Sequence, residues 1–208
     1  IHTLVRFGSS TTMLSMSILR STTILNLLLT TTRNMSSTQT EVISFLNAEC
    51  ERIQNPSRAV EMGRYFRHLH PFYGIKAGDL RQLIRKVQEE HCSEWTASSL
   101  LDTAETLLGE EYGEKKMLGV YLLGVPYNLK KIQQVPTIID IFGGYIEEYV
   151  NDWATCDNLS SQVVRHVLTA KPEHIPKVQA WSTSSNDWKQ RASCVSFLSH
   201  ARHGTHNE

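Results

Sequence analysis

Two side chains beyond the middle of the chain have types and a spacing that could support chemistry. Asp152 is a favourable helix N-cap, so the sequence predicts a helix from Trp153 to about Thr169. Trp153 and Asp157 are then one helical turn apart and project from the same face. An indole beside a carboxylate suits a site that contacts a flat or sugar-like group and stabilises positive charge. The alternative is structural: Trp153 fills the core, and Asp157 pairs with a neighbouring arginine.

The histidines and cysteines form no comparable group. His68 and His70 are close in the sequence but have no partner cluster. The cysteines lie far apart and form neither a CxxC pair nor a Cys/His ligand pattern; they are Cys50, Cys92, Cys156 and Cys194. We expect them to be small buried hydrophobic residues in a reducing compartment. The sequence therefore predicts no metal site and no cofactor.

Charge is balanced in total but unevenly distributed. The 208 residues contain 21 Lys and Arg and 21 Asp and Glu, so net charge neither favours nor excludes a nucleic-acid partner. One stretch is predominantly basic, with Arg58, Arg64, Arg67, Lys76, Arg81, Arg85 and Lys86. The stretch that follows, residues 87–114, has many acidic residues and no Lys or Arg. Two interpretations remain open: a basic stripe that binds phosphates, or two ordinary solvated helix faces.

Residues 1–40 differ in composition from the rest. They contain no Asp or Glu and combine Arg6, Arg20 and Arg33 with many Ser, Thr and Leu. This is typical of an organelle transit peptide, but Met35 resembles an ordinary translation start, so translated upstream sequence is an equal alternative. The apolar run in this segment is too short to span a bilayer, and we expect no membrane partner. We predict a disordered leader and an intracellular protein, nuclear or mitochondrial in a eukaryote and cytoplasmic otherwise.

From Glu41 onward the apolar pattern is helical. Starting at Val42, apolar residues recur at i, i+3, i+4, i+8 and i+11. No stretch alternates polar and apolar residues for long enough to form a sheet. Short loops imply antiparallel helix pairs, which recur at roughly 40 residues, the spacing of HEAT-type repeats. The sequence predicts an all-α fold, an α-solenoid of HEAT-like helix pairs over residues 41–208.

Several residues mark helix boundaries in this pattern. Asn55, which precedes a proline, begins one helix, and Asp79 and Thr96 are predicted N-caps. The last helix is expected at 186–203, with Gly204 as its C-cap. Trp95 and Trp181 are assigned to packing.

Three segments resemble the AlkD-like DNA alkylation repair family. The first is Met62-Gly63-Arg64-Tyr65-Phe66-Arg67-His68-Leu69-His70-Pro71-Phe72-Tyr73-Gly74-Ile75-Lys76, followed by Leu80-Arg81-Gln82-Leu83. The second is the pair Trp153 and Asp157, and the third is Trp188-Lys189-Gln190-Arg191-Ala192-Ser193. The resemblance extends from about Val42 to Ala201.

The resemblance implies a DNA glycosylase acting on double-stranded DNA that carries positively charged alkylated purines. Such a base leaves as a neutral molecule, and the sugar gains oxocarbenium character as the N-glycosidic bond is hydrolysed. In the catalytic roles, Asp157 would stabilise the sugar and Trp153 would face the cationic nucleotide. The family holds the lesion from the backbone side, without a deep base pocket.

For DNA binding, the resemblance assigns Arg191 to a phosphate beside the lesion. Trp188 lies near the start of the same helix, where a buried core position is an open alternative. The basic stripe contributes Arg81, Arg85 and Lys86.

Two departures from the family pattern concern the catalytic helix and the end of the chain. The family often has adjacent tryptophans and an extra acid there, whereas Ala154 follows Trp153. The family usually continues with further repeats and a second lesion-facing tryptophan, so we expect the repeat domain to be C-terminally truncated at Glu208. A non-catalytic DNA-binding HEAT-repeat protein and a helical protein–protein scaffold are the alternatives to the enzyme. We expect a monomer.

Overall fold

The computed structural model describes residues 37–92 and 94–203, with side chains up to residue 198. No β-strand occurs in these ranges. The α-helices are α1 (Ser37–Arg52), α2 (Pro56–Tyr65), α3 (Ala77–Glu90), α4 (Ala97–Leu108), α5 (Gly113–Gly124), α6 (Pro126–Ile132), α7 (Ile138–Tyr149), α8 (Trp153–Leu159), α9 (Arg165–Ala170), α10 (Ile175–Ala180) and α11 (Asp187–His203). The predicted all-α class is confirmed, whereas the arrangement as a HEAT-like solenoid stays a prediction.

Helix α5 lies at the centre of the described fold. Nearly all of its residues are buried, and it packs against α3, α4, α6 and α8. Gly119 allows the close approach to α4, because a Cβ there would lie 2.8 Å from the carbonyl oxygen of Ala104. Its buried residues include Glu114, Lys115 and Lys116 as well as apolar side chains, so α5 is enclosed on every side. The one hydrophobic core around it extends from Val42 in α1 to Ala192 in α11.

Lys116 is a buried cation within α5. Its Nζ donates to the carbonyl oxygen of Leu108 in the last turn of α4, at 2.8 Å. It also donates to the carbonyl oxygen of Tyr149 in the last turn of α7, at 3.0 Å. Helix C-termini have unpaired carbonyls and negative dipole ends, and both favour a cation. Burial nevertheless lowers the pKa of Lys116, with partial compensation from the charge of Asp152.

Of the predicted N-caps, Thr96 and Asp152 are confirmed and Asp79 is wrong, while Asn55 caps the helix that it was predicted to begin. Asn55, Thr96 and Asp152 each accept a hydrogen bond from a backbone N–H in the first turn of the next helix. Helix α3 begins at Ala77, so Asp79 lies inside its first turn and does not cap it. A carboxylate at that position still interacts favourably with the positive end of the helix dipole. The predicted C-cap Gly204 lies outside the described residues.

Two helices have boundaries that the apolar pattern did not indicate. Helix α1 begins at Ser37 because buried Gln39 donates to Ser99 and Thr103 of α4, which anchors the turn before Glu41. The helix predicted from Trp153 is continuous, but a π-helical segment at Ser160–Val164 separates α8 from α9. Most of the predicted leader, residues 1–36, lies outside the described range.

The expected packing roles are mostly confirmed. Trp95 and Trp181 are buried, as are Cys50, Cys92 and Cys156. Cys194 is exposed, so the prediction of a buried thiol is wrong there. Cys194 lies on the outer face of α11. The opposite face of this helix is buried and includes Ala192 and Ser196. Among the described helices, none combines the length and apolarity needed to cross a membrane.

Candidate active site at the start of helix α8

Asp152 fixes the start of α8. Its Oδ1 accepts a hydrogen bond from the backbone N–H of Thr155 at 2.9 Å, and its Oδ2 accepts one from the Thr155 hydroxyl at 2.7 Å. The same Oδ2 lies 3.2 Å from Nε2 of His70, and both side chains are buried. Burial alone would raise the pKa of Asp152, but the hydrogen bonds from His70 and Thr155 hold it below its usual value. Asp152 thus joins the segment before α3 to the first turn of α8.

Trp153 lies at the surface, on an aromatic cluster. Its side chain is 42% exposed, and its ring stacks on Phe66 with centroids 5.6 Å apart and planes 12° apart. Tyr65, which is also exposed, meets the indole edge-on at 6.0 Å. We call Tyr65, Phe66 and Trp153 the aromatic ledge. The alternative that Trp153 fills the core is wrong, because Cys156 and Leu159 are the core residues of α8.

A left-handed turn presents the ledge at the end of α2. Arg67 and His68 have φ values of 52° and 57°, a region that non-glycine residues rarely adopt. The backbone N–H of His68 donates to the carbonyl of Gly63 at 2.7 Å, which closes the helix end. Strained backbone of this kind often lies beside functional sites.

The segment after this turn is held by a buried carboxylate. Glu114 of α5 accepts backbone hydrogen bonds from Tyr73 at 3.1 Å, Gly74 at 2.8 Å and Ile75 at 3.1 Å. Gly74 has a φ of 79°, and a Cβ there would lie 2.2 Å from the carbonyl oxygen of Asn55. The turn therefore packs backbone to backbone against the start of α2, and only glycine fits there.

Asp157 forms a bidentate ion pair with Arg191 of α11. Nε of Arg191 donates to Oδ1 of Asp157, and Nη2 donates to Oδ2, both at 2.7 Å. The side chain of Asp157 is 29% exposed, and that of Arg191 is 45% exposed. The hydrogen bonds to Asp157 raise the pKa of Arg191. The predicted pairing of Asp157 with a neighbouring arginine is confirmed, and the structure brings two predicted site residues together.

Two other residues near this pair have structural contacts. Arg165, an arginine on the helical segment that follows Asp157, donates to the carbonyl of Ser161 and contacts His166. Trp188 is half-buried against the core, and its carbonyl accepts a hydrogen bond from Sγ of Cys156 at 3.5 Å. Trp188 therefore helps to attach α11 to α8.

The predicted basic trio on α3 is divided between two sides of the helix. Arg81 lies over the ring of Tyr121 at 4.5 Å. Arg81 and Arg85 line a groove that Gln162 of the π-helical segment also lines. Lys86 instead lies 4.8 Å from the ring centroid of Phe45 in α1. The structure thus places two of the three cations near the helix that carries Asp157.

A mostly apolar cleft of about 200 Å³ lies between α2, α3, α5 and α8. Phe66, Met117 and Tyr121 contribute to its walls, and Asn158 contributes from α8.

Within the described ranges, no group of His, Cys, Asp and Glu side chains has an arrangement that could hold a metal ion.

Sequence reasoning missed His70 and Phe66 as parts of the site. The short His68–His70 spacing suggested only a weak metal motif, whereas His70 forms a long-range pair with Asp152. The signal for Phe66 was its position beside Tyr65 and before a turn, which did not reveal the stack on Trp153.

The sequence model of a family described as DNA alkylation repair enzyme matches residues 46–208. A search of curated proteins finds no significant match.

Proposed function

Since the chain belongs to the family of DNA alkylation repair enzymes, we propose that it is a DNA glycosylase that excises positively charged alkylated purines. The reaction is hydrolysis of the N-glycosidic bond in double-stranded DNA. The base leaves as a neutral molecule, so the protein need not protonate it. The demand on the site is a negative charge near the anomeric carbon, an ordered water and a firm hold on the backbone.

The observation that carries this proposal is the surface formed by Asp157 and Trp153. Asp157 is a partly exposed carboxylate one helical turn from an exposed indole on a capped helix. The indole face would contact the cationic nucleotide and its sugar, because an electron-rich ring attracts positive charge. The carboxylate would then stabilise the oxocarbenium-like sugar beside it.

Arg191 supports the proposal in two ways. Its bidentate hydrogen bonds fix the plane of the Asp157 carboxylate. Those bonds use Nε and Nη2, and among the described residues Nη1 has no hydrogen-bond partner. Nη1 would bind a phosphate oxygen next to the lesion, which places the sugar against Asp157. Arg81 and Arg85 would bind further phosphates.

The same ion pair favours a second candidate, a non-catalytic DNA-binding protein. Arg191 neutralises Asp157 in the free protein, and a neutralised carboxylate stabilises a cationic sugar less well. In that case the ledge and the cations would bind DNA without base release. The two candidates differ in one measurable property, the release of free base.

The decisive experiment compares Asp157→Asn with a matched control, Asp140→Asn. Asp140 is also a surface carboxylate in an ion pair, with Lys177 at 2.8 Å, but it lies on α7 outside the ledge. Release of N7-methylguanine from methylated duplex DNA should fall about 10²–10³-fold in Asp157→Asn. It should be unchanged in Asp140→Asn.

Urea unfolding of both variants gives the fraction of folded protein, so that base release can be expressed per folded molecule. A destabilised Asp157→Asn protein with unchanged turnover per folded molecule would rule out the catalytic role. If the wild-type protein binds duplex DNA but releases no base, the non-catalytic candidate is correct.

A further inference from the structure

His70 forms a buried link between two segments that are remote in the sequence. Its side chain is 4% exposed, and its Nε2 lies 3.2 Å from Oδ2 of Asp152, 82 residues away. The ring also meets Phe72 edge-on, with centroids 6.2 Å apart. His70 therefore follows the left-handed turn beside Tyr65 and Phe66, while its hydrogen-bond partner is the N-cap of α8.

The two ends of this link lie on either side of Trp153. At one end, Asp152 accepts the Thr155 N–H that starts α8, and Trp153 is the next residue in the chain. At the other end, the left-handed residues Arg67 and His68 connect His70 to Phe66, on which the indole stacks. A shift of the turn relative to α8 would therefore move Phe66 away from Trp153.

We propose that His70 is a positioning residue for base release, because its bond to Asp152 fixes the placement of Tyr65 and Phe66 relative to Trp153 and the first two turns of α8. This inference rests on the proposed function, and it assigns His70 no contact with the substrate. The bond holds Trp153 against Phe66 and, through the cap, sets the direction in which Asp157 projects. Catalysis is sensitive to such placement, since a displacement of about 1 Å can reduce a rate by about 10²-fold.

The Tyr73–Ile75 turn is supported by Glu114 and does not depend on His70. Glu114 holds Tyr73, Gly74 and Ile75 by backbone hydrogen bonds from α5. That clamp lies beyond His70 in the chain and bonds the turn to α5, whereas the His70–Asp152 pair bonds the preceding segment to the start of α8. Loss of His70 should therefore leave the Tyr73–Ile75 turn in place and loosen the contact of Tyr65 and Phe66 with Trp153 of α8.

The test uses His70→Ala, His70→Gln and a control, His91→Ala. His70→Gln keeps a side-chain N–H that can reach Oδ2 of Asp152. His91 is another histidine beside a carboxylate, with Nε2 3.8 Å from Glu90, but at the end of α3 and outside the site. Single-turnover release of N7-methylguanine, binding of unmodified duplex and amide hydrogen exchange of α8 are measured on each, per folded molecule.

We expect the single-turnover rate constant to fall by about 10–10²-fold in His70→Ala, with little change in affinity for unmodified duplex. His70→Gln should recover most of the rate, and His91→Ala should match the wild type. Amides at Thr155–Leu159 should exchange faster in His70→Ala alone.

His70→Ala leaves the buried Asp152 carboxylate without its histidine partner, which could itself disturb the fold. The effect of His70→Ala is therefore also measured in a protein that carries Asp152→Asn. In Asp152→Asn, which keeps a side-chain cap, adding His70→Ala should reduce the rate much less than it does in the wild type. Equal losses in the two backgrounds, or equal impairment of His70→Ala and His70→Gln, would overturn the proposal. If the wild-type protein releases no base, the proposed function fails. Hydrogen exchange then tests the positioning link by itself. Faster amide exchange of α8 in His70→Ala would support the link between His70 and α8, and unchanged exchange would overturn it.

Discussion

At the scale of single residues, Asp157 and Asp140 are surface carboxylates with different partners. The guanidinium of Arg191 bonds both oxygens of Asp157, whereas the ammonium of Lys177 bonds one oxygen of Asp140. A planar bidentate pair fixes orientation, and a lysine ammonium acts as a point charge. The orientation of Asp157 is thus determined before DNA binds, which is the property that electrostatic catalysis requires.

Gly74 offers a second test at this scale, with Gly78 as its control. Gly74→Ala should lower the free energy of unfolding by about 3 kcal/mol or more, because it combines backbone strain with a steric clash. The added Cβ would lie 2.2 Å from the carbonyl oxygen of Asn55 at a φ of 79°. Gly78 lies in α3 with nothing within 4 Å of an added Cβ, so Gly78→Ala should stabilise the protein by about 0.5–1 kcal/mol.

Urea denaturation of the two variants measures both effects. Similar free energies of unfolding for Gly74→Ala and the wild type would show that the turn after α2 can move without loss of packing.

At the scale of elements, the start of α8 is controlled by the ionised form of Asp152. The pKa of Asp152 is lower in the folded protein than its usual value of 3.8, despite burial, because His70 and Thr155 donate to it. The unfolded chain therefore binds the proton more readily than the folded chain. The resulting stabilisation is fully present above about pH 4 and is lost as the pH falls through the folded pKa.

Asp152→Asn should remove this contribution. Its free energy of unfolding should be lower than that of the wild type at neutral pH, and the difference should shrink as the pH falls below about 4. Urea titrations between pH 7 and pH 3 measure the difference directly. A difference that stays constant over that range would show that the charge of Asp152 does not contribute to the stability of the α8 start.

The same element shows which features the sequence can and cannot predict. The Asp152 cap and the shared face of Trp153 and Asp157 depend on residues within one or two turns, so spacing was sufficient. The bond from His70 and the choice of Arg191 over Arg165 depend on how remote segments pack, which spacing does not encode. The π-helical segment was also missed, because the buried residues Cys156, Ser160, Val164 and Leu168 recur every four residues, a spacing that an α-helix also allows.

At the scale of the whole molecule, the distribution of cations predicts how DNA binding depends on salt. Arg81 and Arg85 line the groove beside Gln162, while Lys86 lies against α1. Replacing Arg81 and Arg85 by Gln should weaken binding to unmodified duplex and reduce the slope of log K against log salt by about one unit per lost phosphate contact.

Lys86→Gln is the matched control and should leave the slope nearly unchanged. The slope is measured from dissociation constants at several salt concentrations. A larger change for Lys86→Gln than for the arginine variants would place the DNA on the α1 side of α3.

The position of Lys116 has a consequence for cooperativity. Its ammonium is bonded to the ends of α4 and α7 together, so separating either helix from α5 leaves a buried cation or a carbonyl without a partner. Arrays of helical repeats often unfold in steps, since each unit contacts only its neighbours. Here one side chain bonds the ends of two helices to a third, and we expect the described helices to unfold in a single transition. Circular dichroism and tryptophan fluorescence should therefore give coincident urea curves, and Lys116→Met should separate them.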